Sequence, residues 1–378
     1  MCPSGLASPD GRAGIYRDPM PTASTVPTVA DLPTTMRGVY LPGNSTTVLR
    51  DDIPVPTPGV GQVLLAVGAS TICGSDVRAI YREHLGSGPE GYNDVIAGHE
   101  PAGTVVAVGP GCRRLSVGDR VAVYHITGCG QCAECRRGYF ISCTSPLRSA
   151  YGWQRDGGHG DYLLAEEVTC VTLPDALSFV DGACIACGFS TAYEALTRLH
   201  ISGEDSVLVT GLGPVGLAAG LLARKLGGRP VLGTDPSPER SQLALDLGAV
   251  DEVVSPEDLA GSRAGSVTAA VDCSGSGAGR RTALLALARW GRMAFVGEGG
   301  RMDFDVSHEV IHRQITLIGS WVSSVGRMAE LMDRLVVWDL HPEVVVSHRF
   351  DLADSATAYQ LVDQGRSGKV ALVPGHHA

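Results

Sequence analysis

Ser206-Val-Leu-Val-Thr-Gly-Leu-Gly-Pro-Val-Gly-Leu-Ala-Ala-Gly-Leu-Leu-Ala-Arg-Lys-Leu226 decides the fold of this chain. A short apolar run, Ser206 to Thr210, reads as a buried strand, and Val215 to Leu226 reads as an apolar helix. Between them Gly211-Leu-Gly213-Pro214-Val215-Gly216 forms G-x-G-x-x-G. Alone that motif is weak, because glycine-rich turns are common. Here a strand precedes it, a helix follows it, and Asp235 closes the next strand 19 residues after Gly216. Glycines in such a turn let a pyrophosphate approach the helix N-terminus, whose dipole favours anions.

Asp235 suits the ribose hydroxyls of NAD⁺ and would repel a 2′-phosphate, so NAD is the expected cofactor. Arg240, one helical turn further on, is a second candidate at the adenosine ribose, with an exposed helix arginine as the competing reading. The strand–helix rhythm continues outward. Pro230 to Asp235, Val267 to Asp272, Gly291 to Val296 and Ile315 to Ser320 read as strands, and Pro238 to Leu247 as a helix. Alternating units of this length predict a doubly wound parallel sheet.

Upstream the pattern differs. Val63 to Val67, Ala102 to Val108 and Arg120 to Val123 are short strands punctuated by glycines, as in a small β-rich domain. Downstream, a helix from Arg327 to Trp338 and a strand from Lys369 to Val373 complete the chain. We therefore expect an α/β protein with residues 36–191 and 324–378 in the β-rich domain and 192–323 in the nucleotide domain. Residues 1–35, rich in Pro, Ser, Thr and Ala, read as a disordered leader outside the core.

Length and composition fit this plan. At 378 residues two domains are the prior expectation. A net charge of −10 argues against nucleic-acid or anionic-membrane partners. No apolar stretch is long enough to span a bilayer or to serve as a signal peptide, so the 11 cysteines are expected as reduced thiols in the cytoplasm. Only two lysines occur, Lys225 and Lys369, so no Tyr-x-x-x-Lys pair exists and the short-chain dehydrogenase mechanism lacks its residues.

Cys129, Cys132, Cys135 and Cys143 follow the spacing C-x2-C-x2-C-x7-C. Short steps of two residues curl consecutive thiolates onto one side of a loop, and the fourth closes a tetrahedron. A closed four-cysteine shell suits a structural Zn²⁺. The alternative is a disulfide cluster, which the lack of an export signal disfavours. This lobe, with the glycine turn, resembles the zinc-dependent alcohol dehydrogenase branch of the medium-chain dehydrogenase/reductase superfamily. The resemblance covers residues 36–378 and implies a GroES-like catalytic domain joined to a Rossmann domain.

The same resemblance implies a second, catalytic zinc. Ile72-Cys73-Gly74-Ser75-Asp76 and Ala97-Gly98-His99-Glu100 resemble the segments that give the first two ligands, Cys73 and His99, and Cys184-Ile-Ala-Cys187-Gly-Phe-Ser resembles the segment of the third, Cys187. Three ligands leave a position for water or substrate. By the same likeness Asp76 would orient His99, Glu100 would sit behind the metal, and Ser75 would hydrogen-bond the substrate hydroxyl. For Asp76 and Glu100 a structural ion pair is the competing reading. Relatives often carry a histidine three residues after that serine, and here it is Arg78, which cannot take up a proton. The alternative proton routes are the ribose and water, or another histidine such as His125. Lys369 aligns with a basic pyrophosphate-binding position.

Together these parts imply hydride transfer between an alcohol or ketone and NAD, with two zinc ions per chain and a homodimer or homotetramer paired through the last strand of the nucleotide domain. Tyr124 and His125 are expected to line the substrate pocket. Tyr151-Gly-Trp-Gln-Arg-Asp-Gly-Gly-His159 is expected near its mouth, with Arg155 and Asp156 reading as ordinary loop surface. Polar residues there predict a polyol, sugar or cyclitol substrate. The alternatives are a threonine-type amino alcohol, a non-catalytic zinc- and nucleotide-binding protein, or a zinc-free reductase, the last opposed by complete ligand sets.

Overall fold

The computed structural model describes residues 32–87, 90–365 and 367–375. Val207–Thr210 is buried at all four positions, which is why it needs apolar or β-branched residues throughout rather than an alternating pattern. It lies inside a six-stranded parallel sheet. In spatial order the strands are Glu252–Val253, Val231–Thr234, Val207–Thr210, Val267–Asp272, Leu287–Phe295 and Thr316–Gly319. Successive units step outward from Val207–Thr210 on one side, and the chain then crosses back to build the other. In open α/β sheets ligands bind outside the strand carboxyl ends at such a reversal. The helix Pro214–Lys225 starts there, with Pro214 at its first turn where no N–H is needed.

The second sheet has seven strands around the 11-residue strand Gln62–Ile72. Val346–Phe350, Lys369–Leu372, Gln62–Ile72, Glu100–Val108, Arg120–Val123 and Cys170–Thr172 follow one another, and Tyr162–Glu166 also pairs with Gln62–Ile72. A helical run, Phe179–Arg198, joins the two sheets, packing against Gln62–Ile72 at one end and Pro214–Lys225 at the other. One cluster of buried apolar residues crosses this junction, from Ala102 and Ala122 through Phe189 and Leu196 to Val207 and Leu222.

Three expectations need adjustment. The leader was placed outside the core up to residue 35, but Leu32 packs against Leu64, Ala66 and Val106, and Thr35 already opens the strand Thr35–Gly43. The rest of that stretch, residues 1–31, lies outside the described residues. Thr35–Gly43 and Thr46–Pro54 form a hairpin that no turn motif announced. Its turn holds Asn44 and Ser45 at φ 52° and 54°, a mirror-type turn normally signalled by Asn-Gly. The strand predicted from Gly291 begins at Leu287, four residues earlier, with an irregular register opposite Val267–Ala269 and Trp290 at φ 66°. Among the described residues no helix is long and apolar enough to cross a membrane.

Candidate active site

Cys129, Cys132, Cys135 and Cys143 bring their sulfurs within 4.8 Å of one another. Backbone amides face the sulfurs: Cys129 N donates to Cys143 Sγ, Cys132 N to Cys129 Sγ and Cys135 N to Cys132 Sγ, each at 3.4 Å. Amides of Gln131 and Cys132 draw the Cys129 thiol down to about 6. A tetrahedron with Zn–S bonds of about 2.3 Å has edges of about 3.8 Å. Cys129 and Cys135 sulfurs stand 4.0 Å apart, and the four cysteines are free thiols, so this set fits a closed zinc shell and not a disulfide cluster.

A second set of donors comes from three separate elements. Cys73 ends the strand Gln62–Ile72, His99 precedes the strand Glu100–Val108, and Cys187 sits in a π-turn, Ile185–Phe189, inside the junction helix. With Glu100, their ligand atoms also lie within 4.8 Å of one another. Asp76 is fully buried; its Oδ1 is 2.7 Å from His99 Nδ1, and its Oδ2 accepts from Cys73 N at 3.0 Å. Burial alone would lower the His99 pKa, but the Asp76 charge outweighs it and raises it. The Cys187 thiol, followed by Lys369 and His99, holds Cys73 well below the ordinary thiol value. Two thiols, an imidazole held by a carboxylate, and one depressed pKa are the donor chemistry of a zinc site.

Behind these donors Glu100 and Lys369 form a buried pair at 2.5 Å, and Thr71 Oγ1 donates to the same Glu100 Oε2. Burial lifts the Glu100 carboxyl to about 7 despite Lys369, and its Oε1 has no hydrogen-bond partner among the described residues. Lys369, expected at a pyrophosphate-binding position, is only 4 % exposed and has Glu100 as its ion-pair partner.

The glycine turn has the expected constraints. Gly211 sits at φ 85°, and a Cβ on Gly216 would come within 1.9 Å of the Gly211 carbonyl oxygen. A Cβ on Gly213 would meet nothing, which leaves the helix N-terminus open to a ligand. Asp235 accepts Leu212 N at 2.7 Å and Ser237 N at 2.9 Å, clamping the turn to the strand end, and Arg240 Nη1 stands 4.0 Å away.

A cavity of about 680 Å³ links both halves, bordered by Cys73, His99 and Cys187 at one end and Gly213 to Gly216 at the other. Ser75 and His125 face it, and so does Lys369. The His125 ring lies 5.1 Å from that of His99, and its Nδ1 is 2.9 Å from the Ala186 carbonyl, which fixes the proton on that nitrogen. Burial, then the nearby His99, lowers its pKa to about 4, so the ring is neutral and its other nitrogen is an acceptor.

Tyr124 is a correction. It is fully buried behind His125, and its hydroxyl donates to the Ser323 carbonyl at 2.7 Å, so it braces the lobe instead of lining the cavity. The 151–159 segment divides. Trp153 and Gln154 border the cavity, but both ends of the Gln154 amide are taken by Ala150 N and Gly91 O. Arg155 pairs with Glu166, Asp156 accepts from Ile96 N, and His159 is buried. Arg78 borders the cavity paired with Glu298. Residues without any motif complete the walls, among them Glu90, Arg148, Thr191 and Trp321. Thr191 lies in the segment that carries Cys187, but no ligand-type spacing marks Glu90, Arg148 or Trp321, so sequence reasoning had no handle on those three.

Two family models match the chain: the alcohol dehydrogenase GroES-like domain over residues 59–175 and the zinc-binding dehydrogenase domain over residues 214–337. The chain belongs to the zinc-type alcohol dehydrogenase family. It is 48% identical over 348 residues to the uncharacterized zinc-type alcohol dehydrogenase-like protein YphC of Escherichia coli K12, covering 89% of this chain and 98% of that one. It is 31% identical to an L-threonine 3-dehydrogenase of Rhizobium etli, covering 85% and 94%. Among solved structures, acetophenone reductase from Geotrichum candidum in complex with NAD superposes with a TM-score of 0.78 at 28% identity, covering 92% and 99%. As a member of this family the protein is an oxidoreductase of CH–OH donors with a GroES-like and a Rossmann-type unit.

Proposed function

We propose that the protein is an NAD-dependent dehydrogenase that interconverts a secondary alcohol and its ketone on a hydroxyl-rich substrate, a polyol, sugar or cyclitol. The supporting observation is that the Cys73, His99 and Cys187 donors and the Gly213–Gly216 turn open on one cavity. A zinc ion on Cys73, His99 and Cys187 would supply Lewis acidity to an alcohol or carbonyl oxygen, and the nicotinamide would take or give the hydride.

The chain's own groups have distinct duties in this reading. Asp76 keeps the His99 proton on Nδ1, leaving Nε2 free as a metal ligand. Ser75 hydrogen-bonds the substrate hydroxyl, and the acceptor nitrogen of His125, on the same cavity wall, would pass onward the proton that Arg78 cannot take, without keeping it. Glu100, with its unpartnered Oε1, is a reserve ligand behind the donor set, held by Lys369. Gly211, Gly213, Pro214, Val215 and Gly216 take the pyrophosphate, and Asp235 with Arg240 takes the adenosine ribose, each Asp235 oxygen keeping a lone pair beyond its amide bond. Cys129, Cys132, Cys135 and Cys143 hold a second, structural zinc.

A screen of NAD⁺ reduction at 340 nm with polyols, cyclitols, sugars, threonine and short alkyl alcohols tests the proposal. Polyhydroxylated substrates are expected to give the highest kcat/KM, and preference for ethanol or benzyl alcohol would overturn it. A threonine-type activity is the second reading, favoured by the L-threonine 3-dehydrogenases that match over 332 residues at about one-third identity.

A further inference from the structure

Every arginine, lysine and glutamate bordering the cavity stands beside an opposite charge. Lys369 pairs with Glu100 at 2.5 Å, Arg78 with Glu298 at 3.1 Å and Arg148 with Glu90 at 2.8 Å. Beyond the nucleotide turn, an ionic substrate would compete with one of these pairs, which favours a neutral one. The first pair backs the metal donors and the second spans the cleft at its exposed edge. Arg148 and Glu90 have no part in either.

Arg148 is held from three sides. Its Nε donates to the Ile141 carbonyl at 2.9 Å, its Nη1 donates to Glu90, and its guanidinium lies 5.8 Å from the Trp321 ring. Its side chain is only 11 % exposed while that of Glu90 is 56 % exposed. Nη2 carries no hydrogen bond among the described residues, so the group is fixed in place with donors to spare. Two neighbouring polar groups are already committed, the Tyr124 hydroxyl to Ser323 and the Gln154 amide to Ala150 and Gly91, while the Thr191 hydroxyl on the cavity wall has no partner among the described residues. Ile126, Ile141, Trp153 and Trp321 give the cavity apolar wall as well.

We propose that Arg148 and Glu90 are the specificity-determining residues for the alcohol oxidation assigned above, and that they grip a vicinal diol on a ring. Arg148 donates to one hydroxyl oxygen, Glu90 accepts from its neighbour, and the indoles of Trp153 and Trp321 receive the C–H face of the ring. A hydroxyl can satisfy donor and acceptor at once, so the ion pair need not separate. The inference rests on the dehydrogenase reading but adds the recognition of a second functional group away from the reacting carbon.

The test compares the zinc-loaded full chain with Arg148→Gln and Glu90→Gln, using NAD⁺ with cyclohexanol, 1,2-cyclohexanediol, myo-inositol and threonine. The wild type is expected to favour the diol and the cyclitol over cyclohexanol by about ten-fold or more in kcat/KM, the scale on which a site built for a hydroxyl rejects its absence. Each variant should lose at least about ten-fold more on the diol than on cyclohexanol, mostly through KM. Equal losses on all substrates would make the pair structural and overturn the proposal. Preference for threonine would overturn it too, assigning the pair to a zwitterion. Faster turnover of cyclohexanol than of the diol would remove the diol grip while keeping the dehydrogenase, whereas no NAD⁺ reduction with any of them would overturn both. Should Arg148→Gln fail to fold, Glu90→Gln carries the comparison, since Glu90 is exposed.

Discussion

At Asp76 one carboxylate oxygen faces the His99 ring nitrogen at 2.7 Å and the other takes the Cys73 amide at 3.0 Å. Asp76→Asn keeps the shape but can satisfy only one of these donors, because its NH₂ would face an N–H. The zinc affinity of the Cys73–His99–Cys187 set should fall about 10–100-fold, as removal of such supporting carboxylates does. Chelator titration with metal analysis is the measurement: if both proposed zinc sites are filled, the variant should lose one ion at a chelator concentration that leaves the four-cysteine set loaded. Simultaneous loss of both, or wild-type retention, would contradict this role. At Asp235 the outcome expected is different. Asp235→Ala removes both the repulsion of a 2′-phosphate and the clamp on Leu212 and Ser237, so affinity for NAD⁺ should fall and the gap to NADP⁺ should narrow. Binding isotherms for both cofactors decide it, and a wild type that prefers NADP⁺ would refute the premise. Residues of this kind were legible because a spacing or a strand end marks each one. Tyr124 was misplaced because an aromatic residue beside a marked histidine can face either way, and only the Ser323 carbonyl across the fold decides which.

Short elements carry both donor sets, and they differ in how they are supported. The π-turn Ile185–Phe189 widens a helix by one residue and so swings Cys187 toward Cys73; a second π-turn, Val77–Tyr81, follows Asp76. No residue pattern announces a π-turn, so sequence reading places Cys187 in a segment but not on a face. The four-cysteine lobe has the opposite character: its helix Ala133–Arg136 has four residues, and few of its side chains reach the core beyond Cys135, Phe140, Ile141 and Cys143. Elements that small seldom hold together by packing, so the proposed zinc would contribute folding free energy. Cys129→Ser should therefore lower the Tm, and a loss of about 2 kcal/mol corresponds to roughly 2–3 °C in a chain of 378 residues. Differential scanning calorimetry with metal analysis is the check. A variant with one zinc and an unchanged Tm would mean that the lobe folds without its ion.

Across the whole molecule the six-stranded sheet ends on Thr316–Gly319, whose only strand partner among the described residues is Leu287–Phe295, so no described strand pairs with its outer row of backbone groups. Edges of this kind are normally charged, bulged or covered. Here the two middle residues are Leu317 and Ile318, and large apolar side chains stand in the flanking segments, with Trp290 71 % exposed, Ile311 57 % and Val306 55 %. Trp290 N bonds to the Arg313 carbonyl, which ties the strand's irregular start to the turn that carries Ile311. An apolar edge with apolar neighbours is a surface that a second copy can cover, and closed two-fold pairing through the same strand on both copies satisfies the backbone groups of each. A homodimer, alone or as half of a homotetramer, is the expected state. Light scattering at about micromolar concentration should give at least twice the chain mass, and Trp290→Asp combined with Ile311→Asp should shift it toward monomer by placing carboxylates in an apolar interface. A wild type that is monomeric throughout would leave the edge unexplained. The fold itself was readable at this scale because strand–helix alternation and the glycine turn repeat one physical rule. The exposure of Trp290 was not, since it sits in a register irregularity that sequence periodicity does not encode.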